Sequence, residues 1–321
     1  MPRRRLLTAL LVVAALAVAG CGGASPKAAE RSATLVLDFT PNAVHTGIYT
    51  ALARNFDRAE HVALHVQAPS SSTDSVKLLL SGRAQFAVLD IHDLALARAK
   101  GRDVVGVMAL VQRPLAAVLA QPGIRRPRDL QGRRAGVTGL PSDDAVLASI
   151  VRGDGGDPRR VRKVTIGFQA VSALLGRRVD AATAFWNVEG VALRQRRPAA
   201  REFRVDDFGA PAYPELVLCV ARHTLDADRP LVRATVAALR RGYRAAIADP
   251  RAAVGALVSR VPGTDRAEVQ RDFDAVAPSF TDGSPFGALN EARLRAWAAW
   301  EARFGIVASP PDVRRAFAFG L

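Results

Sequence analysis

The feature that most narrows what this chain can become is a repeated succession: a short apolar run, a knot of polar residues, then a helix-like segment. Residues 34–38 read as a strand running into Asp38-Phe39-Thr40-Pro41-Asn42, and residues 45–55 as the helix that follows. Residues 84–89 repeat the plan and end in Asp90-Ile91-His92-Asp93, ahead of a helix over 94–100. With strands over 61–67 and 103–110 and a helix over 75–81, the order so far is βαβαβαβ. Alternation of that kind predicts an α/β fold, a mostly parallel sheet with right-handed crossovers and flanking helices. Each polar knot then falls at the carboxyl end of a strand, where open sheets bind ligands and helix amides converge.

The composition changes around residues 111–123, and residues 115–120 read as a strand that carries the chain out of this first unit. In the second unit, Val137-Thr138-Gly139-Leu140-Pro141-Ser142-Asp143-Asp144 places a turn and capping residues before a helix from Ala145. Strands are expected over 164–168 and 179–184, the latter ending in Phe185-Trp186-Asn187-Val188-Glu189-Gly190. Pro211-Ala212-Tyr213-Pro214 precedes a returning strand over 215–221, and the remaining helices are expected to pack on the first unit. Residues 33–114 with 218–321 therefore form lobe 1 and residues 115–217 lobe 2, with the two crossings as a hinge.

The N-terminus is a separate matter. Arg3, Arg4 and Arg5 precede an apolar run over residues 6–20, the pattern of a secretory signal over residues 1–20. The run is shorter than the roughly 20 residues that span a bilayer. Cys21 follows Val18-Ala19-Gly20 and resembles a lipobox cysteine, the acylated first residue of a lipoprotein, with residues 21–32 as its tether. That implies a membrane lipid anchor on the extracytoplasmic face. Cys219 is the only other cysteine, so lipidation of Cys21 leaves no intrachain disulfide and no Cys-rich metal site.

The chain carries 45 Lys and Arg against 30 Asp and Glu, a formal charge of +15. Lys27, Lys77, Lys100 and Lys163 are the only lysines, and the arginines are scattered through every segment. No aromatic-interleaved basic strand or recognition helix stands out, so a nucleic-acid partner is not expected.

Catalytic signatures are missing as well: no G-x-S-x-G elbow, H-E-x-x-H or C-x-x-C occurs. His61 and His65 share one face of a strand but lie about 13 Å apart at roughly 3.3 Å per residue, which makes them solvated histidines rather than metal ligands. No cofactor, metal or catalytic residue is assigned. The polar corners offer a binding site instead, with Asp38, Phe39, Asn42, His45, Asp90, His92, Trp186, Asn187, Glu189 and Tyr213 as candidates.

The stretch Asp38-Phe39-Thr40-Pro41-Asn42 with His45-Thr46-Gly47-Ile48-Tyr49 resembles the opening motif of the periplasmic pyrimidine-precursor binding proteins, a family that also holds fungal thiamine-pyrimidine synthases. Phe39 stands where that family usually has Trp. Ile124, Pro127, Asp129, Leu130, Gly132 and Gly136 look like the entry to the second lobe of solute-binding proteins, and Asn187 and Glu189 match the family's Asn and Glu at that corner. The resemblance implies a two-lobed, type II periplasmic-binding-protein fold. It implies a monomeric receptor that passes a thiamine-precursor aminopyrimidine to an ABC permease. Receptors for riboflavin, sulfonate, taurine or nitrate share the architecture. The alternative of another class is a synthase, which would need pyridoxal phosphate and a Cys-rich run that this chain lacks.

Overall fold

The computed structural model describes residues 30–70 and 74–321. The expected signal segment and the lipidation site Cys21 lie outside the described residues.

Strands β1 (Arg31–Val36), β2 (Val62–Gln67), β3 (Phe86–Asp90) and β4 (Val104–Ala109) are followed by β5 (Ala116–Ala120), β6 (Arg134–Val137), β7 (Arg162–Thr165), β8 (Ala181–Phe185), β9 (Arg201–Arg204) and β10 (Leu216–Ala221). They form two five-stranded sheets, ordered β2-β1-β3-β10-β4 and β7-β6-β8-β5-β9. In each sheet a single strand runs against the others: β10 opposes β3 and β4, and β5 opposes β8 and β9. These are the two strands that receive the chain as it crosses between sheets. Both sheets are thus mixed, four strands of each running one way and one the other, and the molecule is a two-lobed α/β protein.

Burial follows from composition. All six residues of β4 and of β10 are buried, as expected of continuous apolar strands covered on both faces. By contrast, β7 is exposed at every position, and its Arg162 and Lys163 guard an open sheet edge against further pairing. His65 is exposed on β2 and His61 just ahead of it, solvated as their spacing predicts.

Helices α1 (Thr46–Ala53), α2 (Phe56–Ala59), α3 (Asp74–Leu80) and α4 (Ile91–Ala99) serve the first sheet. The second has α5 (Pro141–Gly153), α6 (Ala170–Leu175) and α7 (Val191–Arg196). After β10 come α8 (Arg222–Ala227), α9 (Arg229–Ala248), α10 (Pro250–Val258), α11 (Arg266–Val276), α12 (Glu291–Arg303) and α13 (Val313–Ala316). Helices α1 and α9 meet almost backbone to backbone. A Cβ on Gly242 would stand 2.2 Å from the Gly47 carbonyl oxygen, and one on Gly47 would stand 2.2 Å from the Tyr243 ring. The glycine after His45-Thr46 is therefore a packing requirement of this helix pair.

Three expectations need correction. Strand β9 was not anticipated, because Arg-Glu-Phe-Arg shows no alternation; only Phe203 is buried, and the strand is held at the sheet edge by pairing with β5. Helix α5 starts at Pro141, four residues early, since proline suits a first turn where its missing N–H is not needed. Asp143 consequently lies inside the helix and accepts from the Thr138 N–H at 2.6 Å. Finally, α12 is not confined to the first lobe: Trp300 Nε1 donates to Ser149 Oγ on α5 at 3.1 Å.

Candidate functional site

Between the sheets lies a cavity of about 510 Å³, within the size range of small-molecule sites. Three polar corners meet in it: Asp38, Phe39 and Asn42 beyond β1, Asp90 and His92 at the end of β3, and Asn187 and Glu189 beyond β8. Residues separated by about half the chain thus share one space.

The first corner is built around a buried imidazole. Asn42 caps the short 3-10 turn Ala43–His45, accepting from the Val44 N–H at 3.0 Å. The Asn42 N–H donates to His45 Nδ1 at 3.1 Å, so Nε2 carries the proton and donates to Asp38 Oδ1 at 2.7 Å. His45 is completely buried and does not line the cavity, which corrects its expected role: it stands behind the wall and orients Asp38 and Asn42. Phe39 lies at the rim, 44% exposed, with its ring centroid 5.8 Å from that of Phe168 on the opposite lobe.

The second corner is a π-helical turn, Trp186–Gly190, between β8 and α7. Such turns concentrate at functional sites because the extra residue re-aims side chains. Glu189 Oε2 accepts from the Phe185 N–H at 3.3 Å, and burial raises its carboxyl pKa. Asn187 is 1% exposed, and its Oδ1 has no hydrogen-bond partner among the described residues. Trp186 does not line the cavity either. Its Nε1 donates to the Pro114 carbonyl at 2.9 Å and Arg204 covers its ring at 3.9 Å, so its size anchors the turn in the core.

The cleft floor holds a buried network. Asp90 caps α4 by accepting from the His92 N–H at 2.8 Å. His92 Nδ1 bonds Glu301 Oε1, and its Nε2 lies 3.3 Å from the Tyr213 hydroxyl. Burial disfavours the imidazolium, but the carboxylates of Glu301, Asp90 and Glu215 outweigh it and hold the His92 pKa at about 10. Tyr213, expected on the wall, is fully buried beneath it, among His92 and Trp300. Glu215 accepts from the Ala116 N–H at 3.2 Å and from the Leu115 N–H, tying together the two crossing strands. Burial, then the Asp90 charge, lifts its pKa to about 8.

A further wall escaped the sequence reading. Thr264, Asp265, Glu268 and Asp272, from α11 and the loop before it, line the cavity opposite the Trp186–Gly190 turn. Asp272 is almost wholly buried, and desolvation followed by the Glu268 charge raises its pKa to about 7. No local signal marks these residues, since Arg271-Asp272-Phe273-Asp274 reads as an ordinary amphipathic helix.

The sequence profile of the NMT1/THI5 like family matches residues 42–253. The chain belongs to the NMT1/THI5-like family. One curated relative, the formylaminopyrimidine-binding protein of Halalkalibacterium halodurans, is 30% identical over 258 residues, covering 79% of this chain and 78% of the relative. Another, the 4-amino-5-hydroxymethyl-2-methylpyrimidine phosphate synthase of Legionella pneumophila, is 26% identical over 77% of this chain and 79% of its own length. Among solved structures, the periplasmic aliphatic sulphonate binding protein SsuA from Escherichia coli superposes with a TM-score of 0.73 at 13% identity, covering 91% of this chain and 93% of SsuA. That last likeness is one of fold, the periplasmic-binding-protein architecture.

In this NMT1/THI5-like chain the chemistry of the cleft is one-sided. Asp38, Asp90 and Asp93 enter from one lobe, Asp143 and Glu189 from the other, Glu215 from the crossing just before β10, and Asp265, Glu268 and Asp272 from α11 and its approach. Among the described residues no lysine or arginine lines the cavity, although the chain carries 45 of them. Such a wall offers hydrogen-bond acceptors and no guanidinium or ammonium group for an anion.

Proposed function

We propose that this chain is the extracytoplasmic receptor of an ABC importer and that its cleft captures a thiamine-precursor aminopyrimidine, of the hydroxymethyl or formylamino type. The observation that carries this reading is the lining of the cavity: acidic side chains on every side and, among the described residues, no lysine or arginine. An aminopyrimidine presents N–H donors and a flat apolar face. Glu189 accepts from the exocyclic amine, Asn187 and Asn42 read ring nitrogens or the side chain, and Phe39 with Phe168 cover the face. Charge-assisted bonds contribute about 1.5–3 kcal/mol each, and micromolar capture needs only about 8 kcal/mol in total. Closure of lobe 1 (33–114 with 218–321) on lobe 2 (115–217) excludes water from these bonds. The name of the Halalkalibacterium relative supports the same ligand class.

Sulfonate, taurine or nitrate would meet acidic side chains with no lysine or arginine beside them among the described residues, and a pyridoxal-dependent synthase would find no lysine there for a Schiff base. The finer address follows the same reading: acylated Cys21 holds the receptor on the membrane face beside its permease, as a monomer. Radiolabelled palmitate should enter the wild type and not Cys21→Ala.

The deciding experiment is isothermal titration of the purified chain with hydroxymethyl- and formylaminomethyl-pyrimidine, thiamine, riboflavin, taurine and nitrate. Micromolar or tighter binding of a pyrimidine, with silence from the anions, is expected. Preference for taurine or nitrate would overturn the assignment.

A further inference from the structure

The floor of the cleft holds a constellation that the heterocycle does not use. One donor atom each from Asp90, His92 and Glu215 lies within 4.8 Å of the other two, and all three residues line the cavity. Glu215 is 0% exposed. Its Oε2 is occupied by the Leu115 and Ala116 amides, but Oε1 has no hydrogen-bond partner among the described residues and stands 3.9 Å from His92 Nε2. The imidazole cannot swing away, because Glu301 holds its Nδ1 and Trp300 packs near the ring at 5.6 Å between centroids. A carboxylate behind one ring nitrogen with the other facing the unpartnered Glu215 Oε1 is the outer-shell arrangement that orients metal-bound histidines.

We propose that Asp90, His92 and Glu215 bind a divalent first-row transition cation at the cleft floor, with a remaining coordination position open to the cavity. One imidazole nitrogen with two carboxylates suits a borderline ion such as Zn²⁺ rather than Mg²⁺ or Ca²⁺, which favour all-oxygen sites. A tetrahedral ion about 2.1 Å from each donor sets them roughly 3.4 Å apart. The 3.9 Å between His92 Nε2 and Glu215 Oε1 needs little closing. The Tyr213 hydroxyl, 3.3 Å from Nε2, is the group the cation displaces, and binding exchanges the Nε2 proton for the metal.

The test is calorimetric titration of ZnCl₂ into the full chain after chelator treatment, with no heterocycle present. One saturating site is expected. Glu215→Gln keeps a carbonyl oxygen for the Leu115 and Ala116 amides but removes the anionic donor, and should weaken binding more than about tenfold. Asp90→Asn, which retains a capping oxygen, should do the same and decides the matter if Glu215→Gln fails to fold. A double variant of the exposed pair, His61→Ala with His65→Ala, should bind like the wild type. No saturable site in the wild type, or one indifferent to both Glu215→Gln and Asp90→Asn, would overturn the proposal. Because pyrimidine binding is measured separately, its failure leaves this result standing.

Discussion

His45 Nε2 donates to Asp38 Oδ1 at 2.7 Å, while His45 Nδ1 accepts the Asn42 N–H at 3.1 Å. One buried ring therefore holds both polar edges of the corner after β1, and the spacing from Asp38 to His45 is a support for the wall rather than part of it. Removing the ring orphans a carboxylate and an amide together. His45→Ala should cost about 1.5–3 kcal/mol in urea unfolding, the range for a hydrogen bond to a charged group, and should weaken ligand binding without any lost contact to ligand. Unchanged stability would show that Asp38 is held by something else.

Glu189 is the sharper test of the opposite corner. Among the described residues its only hydrogen bond beyond its own residue is the 3.3 Å contact from the Phe185 N–H, so truncation leaves the fold nearly intact. Glu189→Ala should abolish the thermal shift given by an aminopyrimidine while moving the ligand-free melting temperature by no more than a few degrees. A preserved shift would remove Glu189 from the site.

Asp272 makes ligand-free stability depend on pH. Burial, then Glu268 and more weakly Glu189, raise its pKa to about 7 against the opposing pull of Arg271. The unfolded carboxyl titrates near 3.9, so the folded form binds its proton more tightly. Its stabilising contribution is full below that value and is lost as pH climbs through about 7. Urea midpoints of the ligand-free protein should therefore fall from pH 5 to pH 8, and Asp272→Asn should flatten part of that slope. An identical slope in the variant would contradict the assignment.

Gly242→Ala tests the helix pair behind the first corner. The added methyl would sit 2.2 Å from the Gly47 carbonyl oxygen and 2.7 Å from the Ala51 Cβ, which forces α1 and α9 apart. A loss of about 1–3 kcal/mol is expected. Because α1 follows the turn that carries Asn42, ligand affinity should drop as well, measured by the same titration as for the wild type.

Strand-ending corners were legible because a parallel α/β alternation dictates where each run of apolar residues ends. That reasoning placed Asp38, Asn42, Asp90, His92, Asn187 and Glu189 around one cavity. It did not say which way a side chain turns, and so His45, Trp186 and Tyr213 were expected on the wall that they support from behind. Large or ring-bearing residues beside a turn are as useful for anchoring it as for touching a ligand. The α11 wall was invisible for another reason. Asp272 comes to Glu189 through tertiary packing across 82 intervening residues, and an acidic residue on an amphipathic helix carries no mark of what it will face. Likewise β9, with one buried residue in four, is a strand only because β5 offers it an edge.

The rings of Phe39 and Phe168, one from each lobe, touch across the cleft mouth while remaining 44% and 59% exposed. Their meeting withdraws apolar surface from water whether or not anything is inside. In the receptor proposed above, shutting would then be partly self-driven. If that receptor serves a permease, one that sensed only the shut shape would sometimes meet an empty courier, and productive delivery would have to be told apart by what the cargo itself changes inside.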